Sequence, residues 1–197
     1  MALGIQFTLA DLATPALVRL GTGVRGPEIK AAMGGAVRRE LRRHLRDLDT
    51  KKANKLGGAR TNFYGRAAAA VQVPRVTSDG VTVSINHLGL AQRFFGGEIE
   101  AQPGGPLLTI PVNPAAHGRR AREFDDLEFV PSGPEPAAQA LLVRKQPGSD
   151  FGEVFYVLKQ RVVQEPDPEV LPGDDVIVPA VMAAIEAQAK VIAARKN

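Results

Sequence analysis

The sequence contains no cysteine and no tryptophan, and aromatic residues make up only 5% of its 197 residues. The lack of cysteine excludes disulfides, thiolate catalysis and cysteine-ligated metal sites. Because aromatics are scarce, we expect Ala, Val, Leu and Ile to form most of the core. The length fits one ordinary domain with helical arms. These features predict a soluble protein assembled in a reducing cytoplasm.

Long apolar runs and targeting signals are also lacking. No run of apolar residues approaches the roughly 20 that would span a bilayer. The first residues, MALGIQFTLADLA, have neither the basic start nor the small-residue cleavage site of a signal peptide. We therefore expect no membrane contact.

The motifs of common enzyme and cofactor sites are absent as well. There is no GxxxxGK[ST] or GxSxG motif and no HExxH motif. The three histidines, His44, His87 and His117, have no companions at metal-ligand spacing. We therefore expect no catalytic residue, no cofactor and no metal, and predict that the protein is not an enzyme.

Charge is present but unevenly distributed, with a formal net charge of +4. We call residues 38–55 the basic segment. Its cations are Arg38, Arg39, Arg42, Arg43, Arg46, Lys51, Lys52 and Lys55. Three interpretations remain open: a solvated helix face, a contact with an acidic patch on a neighbouring subunit or connector, or the lining of a DNA channel with sequence-independent phosphate contacts. No aromatic residues interleave with the arginines, which argues against a stacking platform for single strands.

A second, acidic segment at 123–135 has the opposite charge and includes Glu123, Asp125 and Asp126. Such a cluster can in principle carry out acid–base chemistry. We favour a solvated loop, or an acidic interface that meets the basic segment of a neighbouring copy. The opposed segments then predict head-to-tail contacts between identical subunits.

Apolar periodicity predicts a helix at each end of the chain. After Pro27, apolar residues recur at spacings of four and three, and we expect this stripe to be buried: Ile29, Met33, Val37, Leu41, Leu45 and Leu48. Gly34-Gly35 interrupts it, which a close helix–helix contact would explain. A final helix is expected from Pro179, with four residues on one side: Val181, Ile185, Ala189 and Ile192.

Alternation and turn residues predict a small sheet between the helices. We expect Val81–Ile85, Leu107–Ile110 and Val154–Val163 to share one antiparallel sheet. Leu127–Val130 and Ala140–Val143 should form a hairpin, and Gln92–Glu100 should be extended around Gly96-Gly97. The loops 112–126 and 164–175 are long, so we expect them to contact neighbours rather than pack internally.

The predicted fold class is therefore α+β: a small antiparallel β-sheet flanked by a long N-terminal helix and a C-terminal helix, with long loops. We expect one domain over residues 1–197. Within it, 1–56 form a helical N-terminal arm, 60–163 a β-rich body, and 164–197 a loop and the C-terminal helix.

Four central segments, spread over a region that makes up more than half of the chain, resemble a phage virion morphogenesis family, the Mu-like and lambdoid tail-completion proteins. They are RTNFYGRAA (60–68), DGVTVSINHLGLAQRFFGGEI (79–99), LTIPVNPAAHGRRAREFDDLEFV (108–130) and FYVLKQRVVQEPDPEVLP (155–172). Their order and spacing carry the likeness. The resemblance implies a non-enzymatic virion protein at the head–tail junction, assembled in the host cytoplasm.

The partners that we expect are further copies of the chain in a ring, predicted to be a hexamer, together with connector or head-closure proteins and tail-tube proteins. The basic segment adds a possible non-specific contact with packaged DNA. A tail terminator or a minor head-assembly protein is the alternative within the same family. A basic nucleic-acid-binding module and a virion-borne peptidoglycan hydrolase are the rivals outside it.

Overall fold

The computed structural model describes residues 26–53, 57–131, 139–145 and 152–195, and it has an α+β fold. The predicted fold class is thus confirmed. The described α-helices are α1 (Pro27–Lys51), α2 (Phe63–Ala69), α3 (Leu88–Phe95) and α4 (Asp174–Ala194). The strands are β1 (Arg75–Val76), β2 (Val81–Thr82), β3 (Gly97–Glu100), β4 (Leu108–Pro111), β5 (Leu127–Pro131), β6 (Gln139–Arg144), β7 (Glu153–Lys159) and β8 (Arg161–Gln164).

Contacts along the chain divide it into two compact units. The first, which we call the helical unit, takes residues from 1–42, 71–85 and 172–197, and the second, the sheet unit, takes 43–70 and 86–171. Helix α1 therefore contributes residues to both. The expectation of a single domain with two arms stays a prediction.

Helix α1 begins at Pro27, as predicted, and its apolar stripe is buried only in part. Ile29, Leu41 and Leu45 are buried, whereas Met33 and Val37 are half-buried. Between them the chain instead buries Gly34 and Ala36. The helix thus makes its closest contact through its smallest side chains, which lie beside the predicted stripe.

Gly34 is the point of closest approach in the helical unit. A Cβ atom added there would lie 2.5 Å from Val81 Cγ2 and 2.6 Å from Pro74 Cβ. The partner of the glycine is therefore the hairpin of β1 and β2, and not a second helix as expected. A Cβ on Gly35 would meet only the Arg39 guanidinium, at 3.6 Å.

A four-stranded antiparallel sheet, in the order β4-β7-β6-β5, forms the sheet unit's centre. The predicted hairpin is confirmed as β5 and β6, with Val130 opposite Leu141. The predicted pairing of the Leu107–Ile110 strand with the start of 154–163 is confirmed too, since Ile110 lies opposite Val157.

Two parts of the expected single sheet lie elsewhere. The strand at Val81 pairs only with β1, in a separate two-stranded sheet. The predicted strand Val154–Val163 divides at Gln160, whose carbonyl accepts a hydrogen bond from the Ala101 backbone at 2.8 Å. Its second part, β8, pairs with β3 in a third sheet. Non-local pairing at Gln160 therefore overrides the continuous local alternation.

The segment 92–100 was expected to be extended, and its first part is helical instead. The imidazole of His87 caps α3 by accepting a hydrogen bond from the Leu90 backbone, at 3.2 Å. Gly96 (φ 67°) then turns the chain into β3, and a Cβ there would lie 2.6 Å from the Gln164 carbonyl oxygen. The turn therefore requires glycine.

Helix α4 begins at Asp174, five residues before the expected Pro179. Two carboxylates in the first turn, Asp174 and Asp175, suit the positive end of the helix dipole. Pro179 then lies inside the helix. The four residues predicted to share a side are all half-buried: Val181, Ile185, Ala189 and Ile192.

Both long loops pack internally, contrary to prediction. The Tyr156 hydroxyl lies 3.2 Å from the Ala116 carbonyl oxygen and 3.1 Å from that of Arg119, and it donates to loop 112–126. In loop 164–175, Val170 is fully buried. The sheet unit's core cluster, Ala116, Phe155 and Tyr156, therefore includes a loop residue.

Candidate polyanion-binding groove and acidic segment

A groove of about 400 Å³ runs along the helical unit, between α1 and the chain around β1. One wall is α1, with Arg38, Arg39 and Arg42 spaced so that all three line the same side of the helix. The other wall is apolar and is formed by Val73, Pro74 and Val76. Cations thus border an apolar wall, an arrangement that suits an anionic partner.

The arginines of this groove are not neutralised by the described part of the chain. Arg38, Arg39 and Arg42 have no hydrogen bond or ion pair from their side chains to any residue within the described ranges, and the same holds for Arg46. Arg39 and Arg46 are also exposed. Arg43 does have an interaction within the chain. The candidate site is therefore narrower than the predicted basic segment.

The lysines of the basic segment behave differently. Lys51 lies 3.6 Å from Asp47, one turn earlier on α1, and Lys52 lies 2.8 Å from Asp167. The hydrogen bond to Asp167 raises the pKa of the Lys52 ammonium above its usual range. Lys55 lies outside the described residues. The two described lysines therefore serve contacts within the chain, and the structure does not bring them to the groove.

The acidic segment is largely neutralised by its own chain. Asp126 accepts a hydrogen bond from Nη2 of Arg144 at 3.0 Å, and this hydrogen bond holds the pKa of the Asp126 carboxyl below its usual range. Glu123 lies 3.5 Å from Arg119. Asp125 is exposed and has no side-chain partner among the described residues. Of the three predicted acidic-interface residues, one thus keeps an uncompensated charge.

The groove arginines are thus unpaired within the described chain, whereas two of the three acidic side chains are paired. This difference bears on the predicted head-to-tail contacts between the basic and acidic segments. Arg144 also covers the Phe155 ring, with its guanidinium carbon 4.3 Å from the ring centroid. Because little of its negative charge is left unpaired, the acidic segment is a poor partner for the arginine groove. A partner with stronger negative charge fits the groove better.

The sheet unit has a separate cleft of about 550 Å³. Arg93 crosses one side of it, 4.8 Å from the Phe63 ring centroid, and donates a hydrogen bond to the Tyr64 hydroxyl at 3.1 Å. Lys52 and Asp167 pair beside them. Its charged side chains are thus largely committed to one another, which suits a structural cleft.

The histidines are likewise held by local contacts. His44 Nε2 lies 2.8 Å from the Glu169 carbonyl oxygen, and His87 caps α3 while packing edge-on against Phe63. His117 has an interaction within the chain. Within the part of the chain that the structure describes, no group of three or more His, Asp or Glu side chains is arranged to hold a metal ion.

The groove arginines could be predicted from the sequence, whereas the apolar wall of the groove could not. Charge density along 38–55 was the signal for the arginines, whereas nothing local in residues 73–76 indicates that they face α1. Comparison of the chain with protein-family models, with curated proteins and with solved structures found no match.

Proposed function

We propose that this chain is a non-enzymatic structural subunit of a tailed bacteriophage, acting at the head–tail junction in a closed ring of identical copies. The observation that carries the proposal is the arginine groove, because its positive charge is left uncompensated by the described chain. A head–tail junction supplies strong anionic partners, since packaged DNA passes through it.

The resemblance of four sequence segments to tail-completion proteins supports a location at the head–tail junction. The four segments similar to tail-completion proteins contribute all or most of α2, β2, α3, β3, β4, β5, β7 and β8. In this proposal the sheet unit forms the ring wall and α1 presents the groove to DNA or to an acidic connector surface. Closed symmetry would limit growth of the assembly.

Electron microscopy of phage particles that lack the chain tests this function. Full heads without tails, beside free tails of normal length, are the expected result. Overlong tails would instead indicate a tail terminator, and failure to form heads would indicate a minor head-assembly role. Normal infectious particles would contradict the proposal.

A nucleic-acid-binding module is a second candidate, favoured by the same arginines. It predicts that the isolated chain binds duplex DNA, with an affinity that falls steeply as salt rises. Fluorescence anisotropy with a 20-base-pair duplex distinguishes this module from a subunit of the head–tail junction. The double variant Arg38→Gln/Arg42→Gln should then lose affinity, while the exposed pair Arg66→Gln/Arg122→Gln, matched in charge, should not. Negligible binding by the wild-type chain would leave the junction subunit as the better explanation.

A further inference from the structure

The arginine groove has two chemically different walls, which together select the kind of anion that fits. On α1, Arg38 and Arg42 lie one turn apart with Arg39 beside them. The apolar wall includes Val73, whose side chain is 73% exposed. A phosphate group would use the arginine wall alone. A ligand that uses both walls must carry negative charge on one side and an apolar group on the other.

We propose that the groove binds an extended acidic segment of another virion protein, in which acidic and apolar residues alternate. The inference rests on the proposed function and deepens it, because it names the chemistry of the partner that the groove takes. Charge complementarity supports it, since Arg38, Arg39 and Arg42 have no ion-pair partner within the described ranges.

The spacing of the arginines suits alternate residues of an extended chain. Arg38 and Arg42 are separated by about 6 Å along α1. In an extended chain, residues two positions apart point to the same side and lie about 6.6–6.8 Å from each other. Two acidic residues at such positions can each meet one arginine, while the residue between them points to the apolar wall.

Two of the guanidiniums lack an acceptor at an atom that water does not reach. Nε of Arg38 and Nε of Arg42 are shielded from solvent and have no hydrogen-bond partner in the described part of the chain. An enclosed donor without an acceptor is unfavourable. The planar guanidinium fork matches the two oxygens of a carboxylate. An acidic residue opposite each arginine would therefore supply the missing acceptor.

The size of the groove excludes bulkier partners. Its α1 wall runs from Ala31 to Arg42, a length of about 16 Å that matches about five residues of extended chain. A volume of about 400 Å³ spread over this length is too narrow for a helix, which is about 10–12 Å across. It is also too narrow for a DNA duplex, whose major groove alone is about 12 Å wide. A duplex therefore touches only the rim.

Single-stranded DNA is thinner, but the groove offers its bases nothing on which to stack. Sequence-independent binding of single strands relies on aromatic side chains. The described residues that line the groove include no aromatic residue. An acidic peptide with apolar side chains thus uses both walls, whereas a nucleic acid uses one.

Fluorescence anisotropy with labelled probes tests this chemistry on the full chain at one salt concentration. The probes are a short peptide in which aspartate and valine alternate, the same peptide with serine in place of valine, and a 20-base-pair DNA duplex. The wild type should bind the valine peptide at least about threefold more tightly than the serine peptide. Equal affinities for the two peptides, or no binding of either, would overturn the inference.

The arginine wall is tested by the double variant Arg38→Gln/Arg42→Gln. It should weaken binding of both peptides by about tenfold or more, because two charged hydrogen-bond donors are lost. The control Arg66→Gln/Arg122→Gln removes the same charge at exposed arginines outside the groove and should leave peptide binding unchanged. If the groove variant weakens binding of the duplex but not of the peptides, the groove takes DNA and the inference is wrong.

The apolar wall is tested by Val73→Ser. This variant should bind both peptides equally and should bind the duplex as the wild type does. The matched control Val163→Ser changes a side chain that is 65% exposed in the sheet unit, and it should keep the preference for the valine peptide. A preference that survives Val73→Ser would overturn the inference.

Peptide binding and the virion phenotype are separate readouts. Failure of the peptide tests, with tailless full heads in the absence of the chain, would overturn this inference and leave the proposed function standing. Normal infectious particles without the chain would contradict the proposed function, and with it the identification of the ligand as a virion protein.

Discussion

Gly34 and Gly35 are adjacent in the sequence and meet different surroundings. Both weaken α1 intrinsically, by about 1 kcal/mol each relative to alanine. Only Gly34 is fixed by its neighbours, because the β1–β2 hairpin occupies the space of a Cβ atom. Local sequence shows two equivalent glycines, and the difference between them arises from a contact some 40 residues away in the chain.

Substitution of each glycine by alanine should therefore have opposite effects. Gly34→Ala forces the helix away from Val81 and Pro74, and the free energy of unfolding should fall by about 1–3 kcal/mol. Gly35→Ala should raise it by about 0.5–1 kcal/mol, since the new methyl group has room. Urea denaturation of both variants measures these changes. Equal effects would contradict the close approach at Gly34.

Tyr156 offers a test by pH. The side chain is 1% exposed, and burial raises the pKa of its phenol above the usual value near 10. Because the folded-state pKa is higher than the unfolded one, the stabilisation is complete below pH about 10 and is lost as the pH rises through the folded-state value.

The variant Tyr156→Phe should be less stable than the wild type by about 1 kcal/mol near neutral pH, since a hydrogen bond to loop 112–126 is lost. This difference should shrink above pH about 10, where the wild type alone must keep a buried phenol protonated. Chemical denaturation between pH 7 and 11 follows it. A constant difference across this range would show that Tyr156 does not titrate with unfolding.

At the scale of elements, sequence periodicity located α1 and the β5–β6 hairpin, because each is defined by its own local pattern. It missed α3, which depends on capping by His87, and the division of 153–164, which depends on β3 (Gly97–Glu100). It also misjudged the loops. Proline and polar residues in 164–175 indicate irregular structure but do not reveal that Val170 is buried.

The two phenylalanines that flank the start of β5 test whether loop 112–126 belongs to the core. Phe124 packs edge-on against Phe155, with ring centroids 5.3 Å apart, whereas Phe129 is 58% exposed. Phe124→Ala should lower the free energy of unfolding by about 2–4 kcal/mol. Phe129→Ala should change it by about 0.5 kcal/mol or less. Urea denaturation measures the free energy of unfolding of both variants. Similar decreases for the two would mean that loop 112–126 is not anchored in the core.

At the scale of the whole molecule, the sequence indicated an excess of positive charge. It did not indicate which surface of the folded chain carries that charge unpaired. Ion pairs that join distant parts of the chain remove Lys52 and Asp126 from the candidate surfaces. Such pairings cannot be read from charge runs, because they depend on which loops meet. What remains is a short arginine groove on the helical unit. The helical stretch ending at Ala194 could cross a membrane by length and composition alone, which the expectation of no membrane contact did not anticipate.

Charge reversal at the groove tests its role in assembly. The change Arg38→Glu/Arg42→Glu should block head–tail joining, because it repels DNA or an acidic connector at every copy around a ring. Single exposed ion pairs contribute only about 0–1 kcal/mol, so the loss depends on repetition by symmetry. The control Arg66→Glu/Arg122→Glu makes the same change of charge at exposed arginines outside the groove. Phage titre and electron microscopy provide the readout, with circular dichroism to confirm folding. If the groove variant gives normal titres, the arginines are a solvated helix face.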